Sequence, residues 1–279
     1  MADKGEALQI GKDESRAAGK DEAIQTGKNT AREPGGRREM YTFDSRIRFS
    51  ETDSEGKLTL LGLLNYFQDC STFHSEEVGL GLGFMKERKL AWVLSSWQIT
   101  TERYPELGEK VIIGTIPYGI RSFMGYRNFF MQDQQGNYLA KANSLWALIN
   151  LESGKPVAAS PEMLERYRPE QKLEMEYADR RISVPQGGRN LDPITVGPHL
   201  LDTNRHVNNG QYVAIAEDFL KQGKRIRQMR AEYKQQAFLG DVFHPYFVEF
   251  GNLSLVSLQD AEGKAYATVE FDTGVEERK

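Results

Sequence analysis

The chain has 279 residues, 39% hydrophobic and 27% charged, enough for one large domain or two of ordinary size with real cores. Lys and Arg number 36 against 40 Asp and Glu, and the net charge of −4 argues against a general nucleic-acid binder. The single cysteine, Cys70, excludes an internal disulfide framework and any multi-cysteine metal site, and it suits a reducing, cytoplasmic setting.

Residues 1–39 contain no Phe, Tyr or Trp, interleave acids with bases, and repeat Gly-Lys-Asp-Glu at Gly11 and Gly19. They lack the apolar block of a secretory signal and the acid-poor composition of a transit peptide, and are expected to form a disordered polar tail. No run reaches the ~18–20 apolar residues that span a bilayer.

Aromatic residues appear abruptly at Met40. Alternation from Tyr41 to Phe49 predicts a half-buried strand. A polar loop, Glu51 to Gly56, is followed by Leu60, Leu61, Leu63, Leu64, Phe67 and Val78 at helical spacing, which predicts a long buried helix. Four β-rich runs come next: Leu90 to Thr101, Lys110 to Tyr118, Phe123 to Gln132 and Tyr138 to Leu151. A linker with Pro156, Pro161 and Pro169 carries one short helical stretch, Glu162 to Tyr167.

The order then repeats. A polar loop, Asp202 to Val207, precedes a helix from Asn209 to Leu220, a strand from Arg225 to Tyr233, a Leu239-Gly240-Asp241 turn and strands through Phe271. Asp202 matches Asp53, Leu239-Gly240-Asp241 matches Leu107-Gly108-Glu109, and Gly263 to Ala267 matches Gly136 to Ala140. The pattern implies two tandem copies of one α+β unit, each a long helix on an antiparallel sheet, at 40–155 and 179–279 with a linker at 156–178. The interval between matched pieces shortens along the chain. The first copy therefore holds extra residues around Gly79 to Lys89, whose glycines suggest a mobile loop.

The richest chemistry lies in Asp202-Thr203-Asn204-Arg205-His206-Val207-Asn208-Asn209. If Asp202 to His206 is extended, the side chains of Asp202, Asn204 and His206 face one way. Asn208 or Asn209 suits a helix N-cap, and the helix start offers free amides to a developing oxyanion. A turn whose polar groups serve only the backbone explains the same residues. Cys70 and His74 stand at i, i+4 on the first helix, as a nucleophile pair or as ordinary helix residues; no second pair supplies metal ligands.

These residues carry a resemblance. Asp202-x-Asn204-x-His206-Val207-Asn208-Asn209-x-x-Tyr212 resembles the active-site segment of the acyl-acyl carrier protein (acyl-ACP) thioesterases, in which two hotdog domains are fused. Leu64 to Asp69, Trp92-Val93 through Glu102 to Pro105, and Lys141 to Trp146 resemble family segments in the same order. The resemblance implies that the second half is catalytic, with roles for Asp202, Asn204 and His206, and that the first half holds the acyl chain between its helix and sheet. Gln236 and Ala237 stand where plant members have Glu and Cys, so the cysteine nucleophile is absent; Gln236 can orient water but cannot act as a base near neutral pH.

Thioester hydrolysis by water, without cofactor, is the expectation, with His206 or Asp202 as base and the amides near Asn208 and Asn209 receiving the oxyanion. The implied partner is an acidic acyl carrier protein, and Lys221, Lys224, Arg225, Arg227 and Arg230 are candidate docking cations, Arg225 and Arg227 sharing a strand face. A hotdog acyl-CoA thioesterase and a noncatalytic acyl-binding protein are the alternatives. Either a monomer or a homodimer fits.

Overall fold

The computed structural model describes residues 40–221 and 225–274. The N-terminal tail and Lys224 lie outside the described residues. The described residues form one compact unit.

Helix α1 (Leu60–Glu77) starts where the Thr59 hydroxyl accepts the Gly62 amide, and it buries Leu60, Leu63, Leu64, Phe67 and Cys70. That spacing forms one continuous stripe facing the sheet, and each fully buried Leu or Phe contributes roughly 1.5–3 kcal/mol. The sheet it packs on contains β1 (Tyr41–Arg46), β2 (Leu90–Thr101), β3 (Lys110–Arg121), β4 (Met124–Gln132) and β5 (Tyr138–Asn150). Between α1 and β2, Leu82–Glu87 form a short helix, α2, where the glycines suggested a mobile loop. Leu80 and Met85 anchor that segment against Leu148, Met163 and Tyr167. Burial of these side chains offsets the glycine cost. The linker helix, α3 (Pro161–Tyr167), is capped by Ser160.

The second half has two short strands that the sequence pattern did not reveal, β6 (Arg189–Asn190) and β7 (Ile194–Thr195), then α4 (Asn209–Glu217), β8 (Gln228–Tyr233), β9 (Val242–Phe250), β10 (Leu253–Gln259) and β11 (Ala265–Asp272). Strand β8 begins after Arg225 and Arg227, so these two do not share a strand face as expected. The order across the sheet is β1-β3-β4-β5-β2-β8-β11-β10-β9-β6, with β7 also paired to β9. Every pairing is antiparallel.

The repeat is visible bond by bond. Ile47 donates its amide to Glu109 and accepts from Gly108; Val196 does the same with Asp241 and Gly240. The amides of Glu102 and Arg103 converge on the Leu139 carbonyl, and those of Lys234 and Gln235 on that of Tyr266. In that correspondence Gln98 matches Arg230, and these two residues face each other in the β2–β8 ladder. A local two-fold axis therefore passes between them. The helices meet near it: a Cβ on Gly210 of α4 would lie 2.7 Å from Leu61 Cδ1 of α1, so glycine permits close approach there.

The linker is strapped across this junction. Gln98 Nε2 donates to the Glu176 carbonyl, and its Oε1 accepts the Ala178 amide, both at 3.0 Å. Arg230 pairs with Glu270 at 2.8 Å and donates to the carbonyls of Asp179 and Arg181 at 2.6 and 3.0 Å. Arg230, expected among the docking cations, is engaged in holding the linker. Replacing Arg230 by Ala leaves Glu270 without its partner and should lower stability by about 2–4 kcal/mol in urea unfolding. Arg225→Ala, which breaks only an exposed 3.7 Å pair with Glu55, should stay within about 0.5 kcal/mol.

Candidate active site

Asp202 to His206 are not extended; they close a tight turn. The Asp202 amide donates to the His206 carbonyl at 2.8 Å, and Leu201 bridges to Val207. Asp202 Oδ1 accepts the amides of Asn204 and His206 at 2.8 and 3.1 Å, and Arg205 takes a left-handed φ of +64°. The expected convergence by strand alternation is thereby corrected. An aspartate can accept from the amides two and four residues onward, and this local bonding outcompetes an extended strand.

The His206 ring is half-buried and packs edge-on against Phe238, with centroids 4.9 Å apart at 86°. Backbone pairing of His206 with Phe238, and the Val207 amide on the Ala237 carbonyl at 2.9 Å, hold the turn beside the loop that follows β8. Tyr212 accepts the Ala237 amide at 2.9 Å, and Tyr233 donates to the Asn209 carbonyl at 2.9 Å. Burial pushes the Tyr212 phenol up to about 12 and that of Tyr233 higher, so both keep their protons. Gln236 is exposed, and among the described residues its side chain bonds to nothing.

Asn208 is the cap of α4, its Oδ1 accepting the Gly210 amide at 2.9 Å. The Gln211 amide turns back to the Asn208 carbonyl. The Asn209 amide finds no acceptor among the described residues. It is the donor left for a ligand at the helix start.

A cavity of about 730 Å³ lies in the first half between α1, α2 and the sheet, and it is completed by Thr203 and Asn204 from the second half. Thr203 and Asn204 are exposed and mark its mouth, with Lys86 and Leu82 of α2 on the same rim. Asp202, His206 and Gln236 do not line it. Arg127, a buried cation, is part of its lining. The sequence pattern missed Arg127, Trp92, Ser71 and Ser75 as cavity residues. Ser71 and Ser75, at i, i+4 on α1 beside the apolar stripe, were the available signal.

The Cys70–His74 pair does not form a nucleophile. Burial raises the Cys70 thiol far above its usual range, whereas burial and Arg127 push His74 down to about 3 and keep it neutral. His74 Nδ1 accepts from Arg127 Nη1 at 3.0 Å. Among the docking candidates, Lys221 pairs with Glu249, and Arg225 sits beside Glu55, in the first-half loop.

That first-half loop is a copy of the turn. Asp53 Oδ1 accepts the amides of Glu55 and Lys57, both at 2.9 Å, and Asp53 N donates to the Lys57 carbonyl at 2.8 Å. Glu55, Gly56 and Lys57 stand where the second half has Asn204, Arg205 and His206. Both aspartates therefore act as loop scaffolds. Asp53→Ala and Asp202→Ala should each cost about 1–3 kcal/mol in chemical denaturation.

Asp53 also acts on Glu217 of α4, whose carboxyl is raised to about 7 by burial first and then by the charges of Asp218 and Asp53. A carboxyl that holds its proton in the fold but sheds it near pH 4.3 when unfolded stabilises the fold at low pH. This contribution falls away as pH rises from about 4.3 to 7, by roughly 1–3 kcal/mol. Glu217→Gln should flatten that stretch of the stability profile and make the protein more stable at pH 8.

Fold and site together define a tandem hotdog protein with one intact polar turn at a cavity mouth. Residues 38–167 match the sequence model described as the acyl-ACP thioesterase N-terminal domain. Dodecanoyl-[acyl-carrier-protein] hydrolases of Cinnamomum camphora and Umbellularia californica are each 26% identical to the chain, over 76% and 68% of it and 60% and 54% of their own length. The chain thus spans little more than half of these plant relatives. An acyl-ACP thioesterase structure from Bacteroides thetaiotaomicron superposes with a TM-score of 0.77 at 25% identity, covering 83% of this chain and 96% of that one. The 12:0-ACP thioesterase from Umbellularia californica superposes at 0.75 and 21% identity, covering 85% and 98%, and shares the fold. The first half is thus similar to the acyl-ACP thioesterase N-terminal domain, and the chain as a whole is similar to acyl-ACP thioesterases in sequence and fold.

Proposed function

We propose that the protein hydrolyses the thioester of a fatty acyl chain on acyl carrier protein and releases the free acid, as a step of fatty acid synthesis. The observation that carries this reading is the position of Asn204: it comes from the second half yet lines the cavity of the first. A thioester at that mouth would have an acyl-sized cavity on one side, and the turn that bears Asn204 leads into α4, whose first amide, that of Asn209, is unbonded among the described residues.

Asn204, with Gln236 from the adjacent loop, fixes a water. The His206 ring takes one proton from it as its oxygen adds to the carbonyl carbon. The carbonyl oxygen receives the displaced electron pair and is met by the Asn209 amide. Collapse breaks the carbon–sulfur bond, and the sulfur takes the proton from His206 and leaves as the carrier's thiol. Asp202 acts through the backbone of the turn and not on the water, in keeping with the identical bonds made by Asp53. No serine or cysteine stands in the turn, so no covalent acyl intermediate is invoked.

The carrier's acidic surface would meet Lys86 on the rim and Arg205 on the turn, both exposed. The internal two-fold axis supplies both halves of the site from one chain, so a monomer suffices. A cytoplasmic location agrees with one buried, unpaired cysteine. Among the described residues no helix is long and apolar enough to cross a membrane.

His206→Ala should lower kcat on an acyl-ACP thioester by about 100-fold or more with little change in KM. Unchanged turnover would remove His206 as the base. Hydrolysis of the same chain equally well from coenzyme A would count against a carrier-specific enzyme.

A further inference from the structure

The cavity is mixed in character. Leu80, Met85, Leu90 and Ile120 supply apolar wall, but the lining also holds a buried guanidinium, that of Arg127. Arg127 is only 8% exposed and, among the described residues, has no carboxylate partner. Its Nη1 donates to Thr115 Oγ1 at 3.2 Å and to the neutral His74 ring at 3.0 Å. Its Nε and Nη2 donate to no acceptor among the described residues. The Tyr167 ring lies beside it, 5.4 Å from Cζ to centroid, with the phenol oxygen 3.2 Å from Ser75 Oγ. Trp92, on the same cavity, has a buried indole N–H that also lacks a partner.

A buried cation without a counterion is costly, and neither a neutral imidazole nor an aromatic ring discharges it. A saturated hydrocarbon chain filling the cavity would exclude water from Nε and Nη2 and offer nothing in return. An oxygen at the far end of the chain would accept those hydrogen bonds, and a carboxylate would add opposite charge.

We propose that Arg127 makes this cavity selective for acyl chains bearing an oxygen function, hydroxyl, keto or carboxylate, at the end remote from the thioester. This inference rests on the thioesterase reading and narrows its substrate class. Arg127 is then a specificity-determining residue in the buried part of the cavity wall. Sites built to hydrogen-bond a substrate oxygen discriminate strongly against the analogue that lacks it, because their own donors are left unpaired.

The test compares dodecanoyl-ACP with ω-hydroxydodecanoyl-ACP and the ω-carboxyl homologue, for the wild type, Arg127→Met and Arg127→Lys. The wild type should favour the oxygenated chains by about tenfold or more in kcat/KM; Met should abolish that preference and Lys should retain part of it. In parallel, calorimetry of the wild type with the uncharged amide analogues of dodecanoyl- and ω-hydroxydodecanoyl-pantetheine reads the same preference as binding, whether or not the Arg127 variants fold. Hydrolysis of dodecanoyl-ACP with no gain from the ω-oxygen, and equal binding of the two analogues, overturns the proposal and leaves the thioesterase reading standing. Preferential binding of the oxygenated analogue with no hydrolysis of any thioester supports the cavity's selectivity and overturns the hydrolase reading instead.

Discussion

The antiparallel pairing of β2 with β8 is the constraint from which the rest follows. It runs in register from Ser96↔Glu232 to Thr100↔Gln228, with Gln98 opposite Arg230. Two sheets, each too small to cover its own helix from both sides, become one surface, and a single hydrophobic core runs from Leu64 and Trp97 to Tyr212 and Phe243. The pairing also turns the halves about a local axis. Each half thereby presents its polar turn toward the other, and Thr203 and Asn204 reach a cavity built almost wholly from the first half.

The near-symmetry contains its own control. Both turns are folded by one aspartate accepting two backbone amides, and both lead into a helix capped by a side-chain oxygen, Thr59 in α1 and Asn208 in α4. The backbone is shared; the side chains are not. The second copy carries an amide and an imidazole, whereas the first carries Glu55 and Lys57, which pair with each other at 3.5 Å. In the first copy Glu55 is further engaged by Arg225. The two turns therefore differ in side-chain chemistry and not in backbone, with Asn204 and His206 in one where the other has Glu55 and Lys57.

Much of this was legible in the residues. The strand from Leu90 to Thr101 and the helix from Leu60 were plain because long apolar periodicities leave few alternatives. The tandem order was legible through its Leu-Gly-acid and Gly-x-x-x-Ala pieces. The turn at Asp202 was not, because alternation of polar residues looks the same whether they extend or fold onto one carboxylate. Helix α2 was hidden by its glycines, since the contacts of Leu80 and Met85 with Tyr167 and Met163 come from far along the chain. Arg127 was hidden for a similar reason. An arginine in a strand suggests a solvated face, and its burial comes from His74 of α1 and Tyr167 of α3, which lie beside it and come from far along the chain.

The central claim is that the second half's turn serves the first half's cavity. A crystal structure of the His206→Ala protein with a thioether analogue of dodecanoyl-pantetheine tests it directly. The chain should lie in the first-half cavity, with the analogue's carbonyl oxygen within hydrogen-bond distance of the Asn209 amide. A chain seated instead between α4 and the second half's strands, with its carbonyl beside Asp53, would contradict it.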